Sequence, residues 1–281
     1  PARDAPYIAL AVERIGCQHT AVELTQASLA QALEEAVDAR GFPGMADVDS
    51  SLLYFCRRVA ERHVVALSGE CADEVFGGYP WFYRPEMLNS GFFPWIHDPM
   101  LRASLFDDRI VRGKEGCEYM REQYRRSMAN CPVLEEDSDT MRTSRRATWL
   151  SVNYFMASLL ERKDRMSMAS SVEVRVPFAD HRILEYVYNV PWEIKFENGA
   201  EKALLRNAMA EYLPEKILYR KKSPYPKTQN PKYEELARTA LTERLRHPDS
   251  PLGQMLNRRQ GKRESLRLYQ NHCFFPNCGK C

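Results

Sequence analysis

A cluster of polar and acidic residues follows a short apolar run in the first third of the chain. The run ends at Leu67, and Ser68 and Gly69 come directly after it. A small hydroxyl and a glycine let backbone amides approach a nucleotide closely, and carboxylates in the next turn can hold Mg²⁺ or contact a substrate. Those carboxylates are Glu70, Asp73 and Glu74. The alternative interpretation is an ordinary strand-to-helix junction whose acids cap the helix.

The elements before this cluster predict a parallel-sheet layer. His63–Leu67 is a continuous apolar run between a helix and a glycine, which is typical of a buried strand in a parallel sheet. Gln18–Leu24 alternates like an earlier strand, and Thr25 is predicted to cap a helix that continues to Ala39. Because ligands of open α/β sheets bind outside the carboxyl ends of the strands, the cluster lies where a ligand is expected.

Helical patterns dominate the remaining chain. Asp49 or Ser50 is predicted to cap a helix whose apolar stripe runs to Val59, and a loop rich in proline and aromatic residues follows Tyr79. A long helix from about Met141 to Met168 is expected to be central to the second half. Further helices are predicted over Cys117–Met128, Asp180–Asn189, Ala200–Tyr212 and Tyr233–Leu245. The fold class is therefore α/β with a predominantly helical remainder.

The composition fits a globular protein. Apolar residues make up 44% of the 281 residues and charged residues 28%, so disorder is not expected. Lys and Arg number 40 against 38 Asp and Glu, which gives no whole-chain case for nucleic acid or an anionic membrane surface. No apolar run approaches the roughly 18 residues of a spanning helix. These features predict a cytoplasmic protein with reduced thiols.

Three segments resemble the asparagine synthetase family. The string SGECADEVFGGYPWF at Ser68–Phe82 looks like the SGEGADEVFGGYPYF-type segment of that family's synthase domain. Arg162–Asp180 is similar to its RKDRxSMAxSxExRxPFLD segment, and Gly199–Arg206 resembles its GxxKxxLR helix. Leu213–Lys222 continues in the same way as LPxxIxxRxK. Order and spacing agree with the family from about residue 6 to 256.

The resemblance implies a fold and a reaction. The fold would be a Rossmann-like layer of the PP-loop ATP pyrophosphatase or adenine nucleotide alpha hydrolase type. The reaction would be ATP-dependent amidation of aspartate to asparagine, in which the substrate carboxylate attacks the α-phosphate of Mg-ATP and ammonia from glutamine displaces AMP. Such adenylation depends chiefly on positioning and on electrostatic stabilisation of the phosphates. The implied ligands are ATP, Mg²⁺, aspartate and ammonia or glutamine, with no nucleic acid and no membrane.

The same resemblance implies roles for residues of the cluster. Asp73 would coordinate Mg²⁺ on the pyrophosphate, while Leu67, Ser68 and Gly69 would contact the nucleotide. Glu70 would engage the substrate or assist proton transfer.

More distant residues are also implied in the site. Lys202 would stabilise the charge at the α-phosphate, and Arg162 is implied as a further catalytic residue. Arg162, Asp164 and Arg165 are candidates for lining the site, with a salt-bridged helix surface as the equal alternative for each. Glu173 and Arg175, in contrast, are expected to form a structural ion pair.

Two family features are absent from the sequence. The family's SGGxDS pyrophosphate loop lies at the end of an earlier strand, and no such string occurs here. Nor does Pro1 head a glutaminase domain with a terminal cysteine. We therefore expect residues 1–256 to be an amino-terminally truncated synthase-type domain that is inactive alone. Release of pyrophosphate from ATP by this chain would contradict that expectation.

The carboxyl-terminal tail is expected to be a separate segment. Residues 257–281 are basic and carry Cys273, Cys278 and Cys281 beside His272, a pattern that can indicate zinc or an iron-sulfur cluster. A poorly ordered, thiol-rich terminus is the favoured interpretation because no paired element is visible.

Alternative functions share these motifs. A β-lactam synthetase-like cyclase uses the same adenylation chemistry with an internal amine. A non-catalytic module could bind AMP or a partner subunit, and a tRNA-modifying relative could use the tail cysteines. A homodimer is left open, and substrate choice depends on a pocket shape that the motifs do not fix.

Overall fold

The computed structural model describes residues 4–41, 44, 46–96, 98–104, 106–221, 231–246 and 254–255. Over these residues the chain is mostly helical, with one small parallel sheet of two strands, β1 (Val65–Leu67) and β2 (Glu173–Arg175). Val65 pairs with Glu173 and Leu67 with Arg175. The predicted combination of a parallel sheet with a helical remainder is confirmed at this level.

The helices divide into those before and those after residue 130. The first group is α1 (Ala5–Ile15), α2 (Gln26–Arg40), α3 (Ala46–Ala60), α4 (Ala72–Phe76), α5 (Pro85–Leu88), α6 (Pro99–Ser104) and α7 (Gly113–Ala129). The second group is α8 (Asp139–Leu150), α9 (Ala157–Met168), α10 (His181–Asn189), α11 (Trp192–Lys195), α12 (Ala203–Ala208), α13 (Glu215–Leu218) and α14 (Pro231–Arg246).

Local sequence signals account for several helix boundaries. The hydroxyl of Thr25 accepts a hydrogen bond from the Ser28 amide, which is the predicted cap of α2. Ser138 and Asp180 cap α8 and α10 in the same way. The predicted cap of α3 at Asp49 or Ser50 is wrong, because α3 begins at Ala46 and both residues are buried inside it.

The early strand predicted over Gln18–Leu24 is also wrong. Residues 17–25 form a connection with no regular secondary structure, and most of their side chains are exposed. An alternating pattern makes a strand only when a neighbouring strand takes up its backbone hydrogen bonds. The strand predicted at His63–Leu67 is confirmed as parallel but is shorter, and Val65 and Leu67 are 40% and 75% exposed rather than buried.

The long central helix is confirmed, with one irregular turn. It runs without a break from α8 to α9 through a π-helical segment, Ser151–Met156. Inside that segment the buried hydroxyl of Ser151 accepts a hydrogen bond from the Trp81 indole at 3.0 Å. The irregular turn therefore lies where Trp81, a residue of the Ser68–Phe82 string (hereafter the signature string), packs on the helix.

Three buried clusters surround this helix. The largest is aromatic and contains Trp81, Trp95 and Phe155, so the loop predicted after Tyr79 belongs to the core. A second joins α2, α3 and Met166. The third joins Val75 of α4 to Val187 of α10 and to Met156. Because all three clusters include residues of the long helix, it holds the two halves of the fold together.

None of the helices in the described ranges is long and apolar enough to cross a membrane. The five described cysteines, Cys17, Cys56, Cys71, Cys117 and Cys131, are free thiols, as predicted. The cysteines of the tail lie outside the described residues.

Candidate active site

The candidate site begins where β1 ends. The Ser68 amide donates a hydrogen bond to the Arg175 carbonyl at 2.9 Å, which extends the parallel pairing one residue past Leu67. The chain then turns into α4 within a few residues. The polar residues after β1 are thus anchored to the carboxyl edge of the sheet, where ligands bind in open α/β folds.

The Glu70 carboxylate is held by two cations of α9. Its Oε1 lies 3.6 Å from the Arg162 guanidinium and its Oε2 lies 3.4 Å from the Lys163 ammonium. The Ser68 hydroxyl also donates to Oε2 at 3.4 Å. Arg162 and Lys163 are largely buried, whereas a quarter of the Glu70 side chain is exposed. The predicted catalytic residues Glu70 and Arg162 therefore lie in one charged group that opens to solvent at Glu70.

Asp73 and Lys202 form a second charged group. The Lys202 ammonium lies 2.7 Å from Asp73 Oδ1, and both side chains are about three-quarters buried. Lys202 has φ +58° and ψ +34°, the left-handed region that a lysine enters at some cost in backbone energy. Lys202 lies at the start of α12 and has this conformation where its side chain contacts Asp73 of the signature string. Two residues 129 positions apart in sequence, one predicted to act at the pyrophosphate and the other at the α-phosphate, are thus brought into contact.

The third carboxylate of the cluster, Glu74, points into the protein. Glu74 is 1% exposed, and the Tyr79 hydroxyl donates to its Oε1 at 2.5 Å. A carboxylate in this position stabilises the turn from α4 to the aromatic cluster. Of the three acids in the cluster, only Glu70 and Asp73 remain accessible to a ligand.

The three glycines of the signature string differ in the atoms that an added Cβ would meet. A Cβ atom on Gly69 would meet no heavy atom within 4 Å, so the protein leaves open space there. A Cβ atom on Gly78 would lie 1.9 Å from Asp73 Oδ1, and one on Gly77, where φ is +81°, would lie 2.7 Å from the Trp192 ring. Gly77 and Gly78 are required by internal packing, whereas Gly69 is not.

Cys71 occupies the position at which the family segment has glycine. Its φ of +73° lies in the left-handed region, and its side chain is 3% exposed. Burial, reinforced by the charges of Glu74 and Glu70, raises the pKa of this thiol to about 12. Cys71 is therefore a packed, protonated residue between the two accessible acids.

The other predicted residues lie at the border of these groups. Leu67 is exposed at the end of β1. Asp164 and Arg165 are on the exposed side of α9, where Arg165 pairs with Glu161 at 3.3 Å. Their contact with a nucleotide stays a prediction. The structural ion pair expected between Glu173 and Arg175 is confirmed, with 2.8 Å between the charged atoms.

Comparison with known proteins decides the family. A family model described as asparagine synthase matches residues 1–271. The chain belongs to the asparagine synthase family. It is 46% identical over 260 residues to the glutamine-hydrolyzing asparagine synthetase 3 of Bacillus subtilis, a match that covers 92% of this chain and 42% of that protein.

Two further relatives agree with this assignment. Asparagine synthetase 1 of Bacillus subtilis is 30% identical over 219 residues, covering 65% of this chain and 34% of the relative. The asparagine synthetase of Gallus gallus is 42% identical over 67 residues, which cover 23% of this chain and 12% of the relative. The chain thus spans less than half the length of these relatives. The family match extends past residue 256, the predicted boundary of the domain.

Sequence reasoning missed one residue of this candidate site. Lys163 contacts Glu70 as closely as Arg162 does, yet only its neighbours were predicted to act there. The sequence signal that could have indicated Lys163 is the run of charges Arg162–Asp164, which lies in the middle of a helix with large apolar residues on both sides. Adjacent helix positions point about 100° apart, so periodicity alone assigns them to different faces.

Proposed function

We propose that this chain carries the adenylating site of an ATP-dependent asparagine synthetase. Aspartate is the carboxylate substrate, and glutamine supplies the ammonia that displaces AMP from the acyl adenylate. The observation that carries the proposal is the contact between Asp73 and Lys202, with Asp73 four residues after the open space at Gly69. It joins a metal-binding carboxylate, a phosphate-binding cation and room for a nucleotide at the carboxyl edge of a parallel sheet.

The residues fit Mg²⁺ in the manner usual for nucleotide enzymes. Among the described residues no group of three or more His, Cys, Asp or Glu side chains is placed to hold a metal ion. Mg²⁺ in nucleotide sites is often held by one or two carboxylates together with substrate phosphates and water. Asp73 supplies one such carboxylate and would hold Mg²⁺ together with the phosphates of ATP. When bound, Mg²⁺ neutralises charge on the departing pyrophosphate.

The two partners in this contact must separate when substrate binds. The charge of Lys202 is compensated by Asp73 at 2.7 Å. With Asp73 holding Mg²⁺, Lys202 would be available to the α-phosphate, where it would stabilise the negative charge that accumulates during attack by the substrate carboxylate. Ser68 and Gly69 present the backbone edge to the nucleotide. The ion pair thus holds the side chains of Asp73 and Lys202 in place until groups of the bound substrate take over their charge interactions.

Glu70 is proposed to face the amino-acid substrate. Its carboxylate is fixed through Arg162 and Lys163, and its exposed quarter can accept a hydrogen bond from the substrate ammonium. We also propose that the sheet belongs to a larger Rossmann-like layer of the PP-loop type. The half-exposed strand β1, with 75% of Leu67 exposed, is consistent with further chain packing there.

Pyrophosphate exchange into ATP tests the proposed reaction. The full-length protein is assayed with aspartate, with a bulky β-amino acid, and without any carboxylate. Exchange that requires aspartate supports the proposal. Exchange only with the β-amino acid would favour the β-lactam-forming alternative, and no exchange together with no ATP binding would favour a non-catalytic module.

Variants of the two charged residues test the site itself. Asp73→Asn and Lys202→Met are each expected to lower exchange at least a hundredfold, the order observed when a single transition-state charge contact is removed. Lys216→Met, at an exposed lysine of α13, is the matched control and should retain exchange. Normal exchange by both site variants would refute the assignment of these residues.

A further inference from the structure

Lys163 is a largely buried cation beside the proposed substrate site. Its side chain is 14% exposed, and its ammonium lies 3.4 Å from Glu70 Oε2. A charged lysine is rarely buried without a partner, since desolvation of the ammonium is costly. The position of Lys163 is therefore tied to the carboxylate of Glu70.

The two cations approach Glu70 from different directions. Arg162 and Lys163 are consecutive residues of α9, so their side chains leave the helix about 100° apart. Each contacts a different oxygen of the same carboxylate, Arg162 at Oε1 and Lys163 at Oε2. Two contacts on different oxygens restrict rotation of the carboxylate, whereas a single contact would leave it free to turn about its terminal torsion.

The surroundings of Lys163 strengthen this contact. Burial raises the pKa of the Cys56 thiol in α3, and the Lys163 charge acts in the opposite direction on it. The same charge acts on Cys71 in the signature loop. Both cysteines are 3% exposed, so the Lys163 charge acts on buried, weakly polar groups of two elements. Charges attract more strongly where water is excluded.

We propose that Lys163 is a positioning residue of the adenylating site, which fixes the second oxygen of Glu70 so that the carboxylate faces the amino-acid substrate. The inference rests on the proposed function, because Glu70 is assigned to the substrate there. Lys163 acts through Glu70, whereas the groups proposed to meet the nucleotide are Ser68, Gly69 and Asp73. Its loss should therefore change how the amino acid is used rather than how ATP binds.

The test is pyrophosphate exchange by the full-length protein with Lys163→Met and Lys163→Arg. Methionine keeps the length and apolar stem but removes the charge. We expect Lys163→Met to lower kcat for exchange by between about tenfold and a hundredfold, as misplacement of a reacting group does, with the KM for ATP within about twofold. Lys163→Arg should restore most of the rate. Lys114→Met, at an exposed lysine of α7, is the matched control and should behave as the wild type.

A double-mutant cycle separates positioning from general stability. If Lys163 acts through Glu70, adding Lys163→Met to Glu70→Gln should lower the rate little further. Independent, multiplicative losses would overturn the inference, as would normal kcat in folded Lys163→Met. If Lys163→Met does not fold, the cycle is measured with Lys163→Gln. Absence of aspartate-dependent exchange in the wild type would instead refute the proposed function.

Discussion

The signature string consists of two halves with opposite physical character. The first, Ser68–Asp73, presents its acids to cations and partly to solvent; we call it the open half. The second, Glu74–Phe82, is buried almost throughout; we call it the core half. Trp81 is 1% exposed in the core half, whereas a quarter of the Glu70 side chain is exposed in the open half.

The difference shows that a family motif need not be a list of ligand-binding residues. Glu74 lies one residue from Asp73, yet it is paired with Tyr79 inside the protein. The core half joins the open half to the long central helix through the Trp81 indole and the Ser151 hydroxyl. The open half can therefore hold charges in fixed positions because the core half is rigidly packed. Substitutions in the core half should therefore change the stability of the fold, whereas substitutions in the open half should change ligand binding.

The largest expected effect is a lower free energy of unfolding after substitution in the core half. Trp81→Ala should lower the free energy of unfolding by about 3–5 kcal/mol, since it empties a fully buried site and removes the stacking on Tyr79. Urea unfolding monitored by circular dichroism measures this. Trp81→Phe, which keeps a ring, should cost less. Unchanged stability of Trp81→Ala together with lost ATP binding would reverse the assignment of the two halves.

The second effect is on the pH dependence of stability, and it comes from Lys195, a lysine buried among core residues. Lys195 is 1% exposed, and burial, together with the charge of Arg145, lowers its pKa to about 8. The unfolded lysine has a pKa near 10.4, so between about pH 8 and 10 the unfolded state binds more protons and the contribution of Lys195 to stability rises with pH. Below pH 8 the burial penalty is present in full.

Lys195→Met removes that penalty. Its stability relative to the wild type should be greatest near pH 7 and should decline by up to about 3 kcal/mol towards pH 10. Unfolding curves of both proteins at matched pH values measure the difference. Both proteins contain the same buried thiols, so titration of those thiols contributes equally to both and does not affect the difference. A pH-independent difference would contradict the lowered pKa of Lys195.

The third effect is on binding, in the open half. Gly69→Ala should leave the free energy of unfolding unchanged within about 1 kcal/mol, because its Cβ meets open space. If the nucleotide occupies that space, ATP binding should weaken by about tenfold to a hundredfold, or 1.4 to 2.7 kcal/mol. Isothermal titration with ATP measures it. Equal affinity would show that the open space serves no nucleotide.

The smallest effect lies at the junction of the halves. Cys71→Gly and Cys71→Ala both remove the buried sulfur, but only glycine relieves the positive φ. The glycine variant should therefore be more stable than the alanine variant by about 1 kcal/mol, the reverse of their order in a helix interior. Thermal unfolding of the two variants compares them. Greater stability of the alanine variant would contradict the left-handed conformation.

Much of this could be predicted from local sequence signals. Thr25 as a cap, β1 as a parallel strand and the long central helix all follow from patterns within a few residues of each element. The family was predicted because the signature segment and its two partners keep their order. Residue types in a fixed order carry information that does not depend on where the side chains point.

Other features depend on neighbours distant in sequence. The strand expected at Gln18–Leu24 does not form, because no strand within the part of the chain that the structure describes pairs with this segment. Glu74 looked like Glu70 and Asp73 in sequence, and only the packing of Tyr79 against it separates them. Lys163 was missed because its role depends on a carboxylate 93 positions earlier in the chain. Contact between such residues is set by tertiary packing rather than by local propensity.

The most direct test of the account is ATP binding to the full-length protein with and without Mg²⁺. Wild type and the core variant Trp81→Phe should bind ATP more tightly when Mg²⁺ is present, and Asp73→Asn should lose that increment while remaining folded. This result would place the metal-dependent step in the open half. An undiminished Mg²⁺ increment in Asp73→Asn would contradict the central claim that Asp73 and its contact with Lys202 form the nucleotide site.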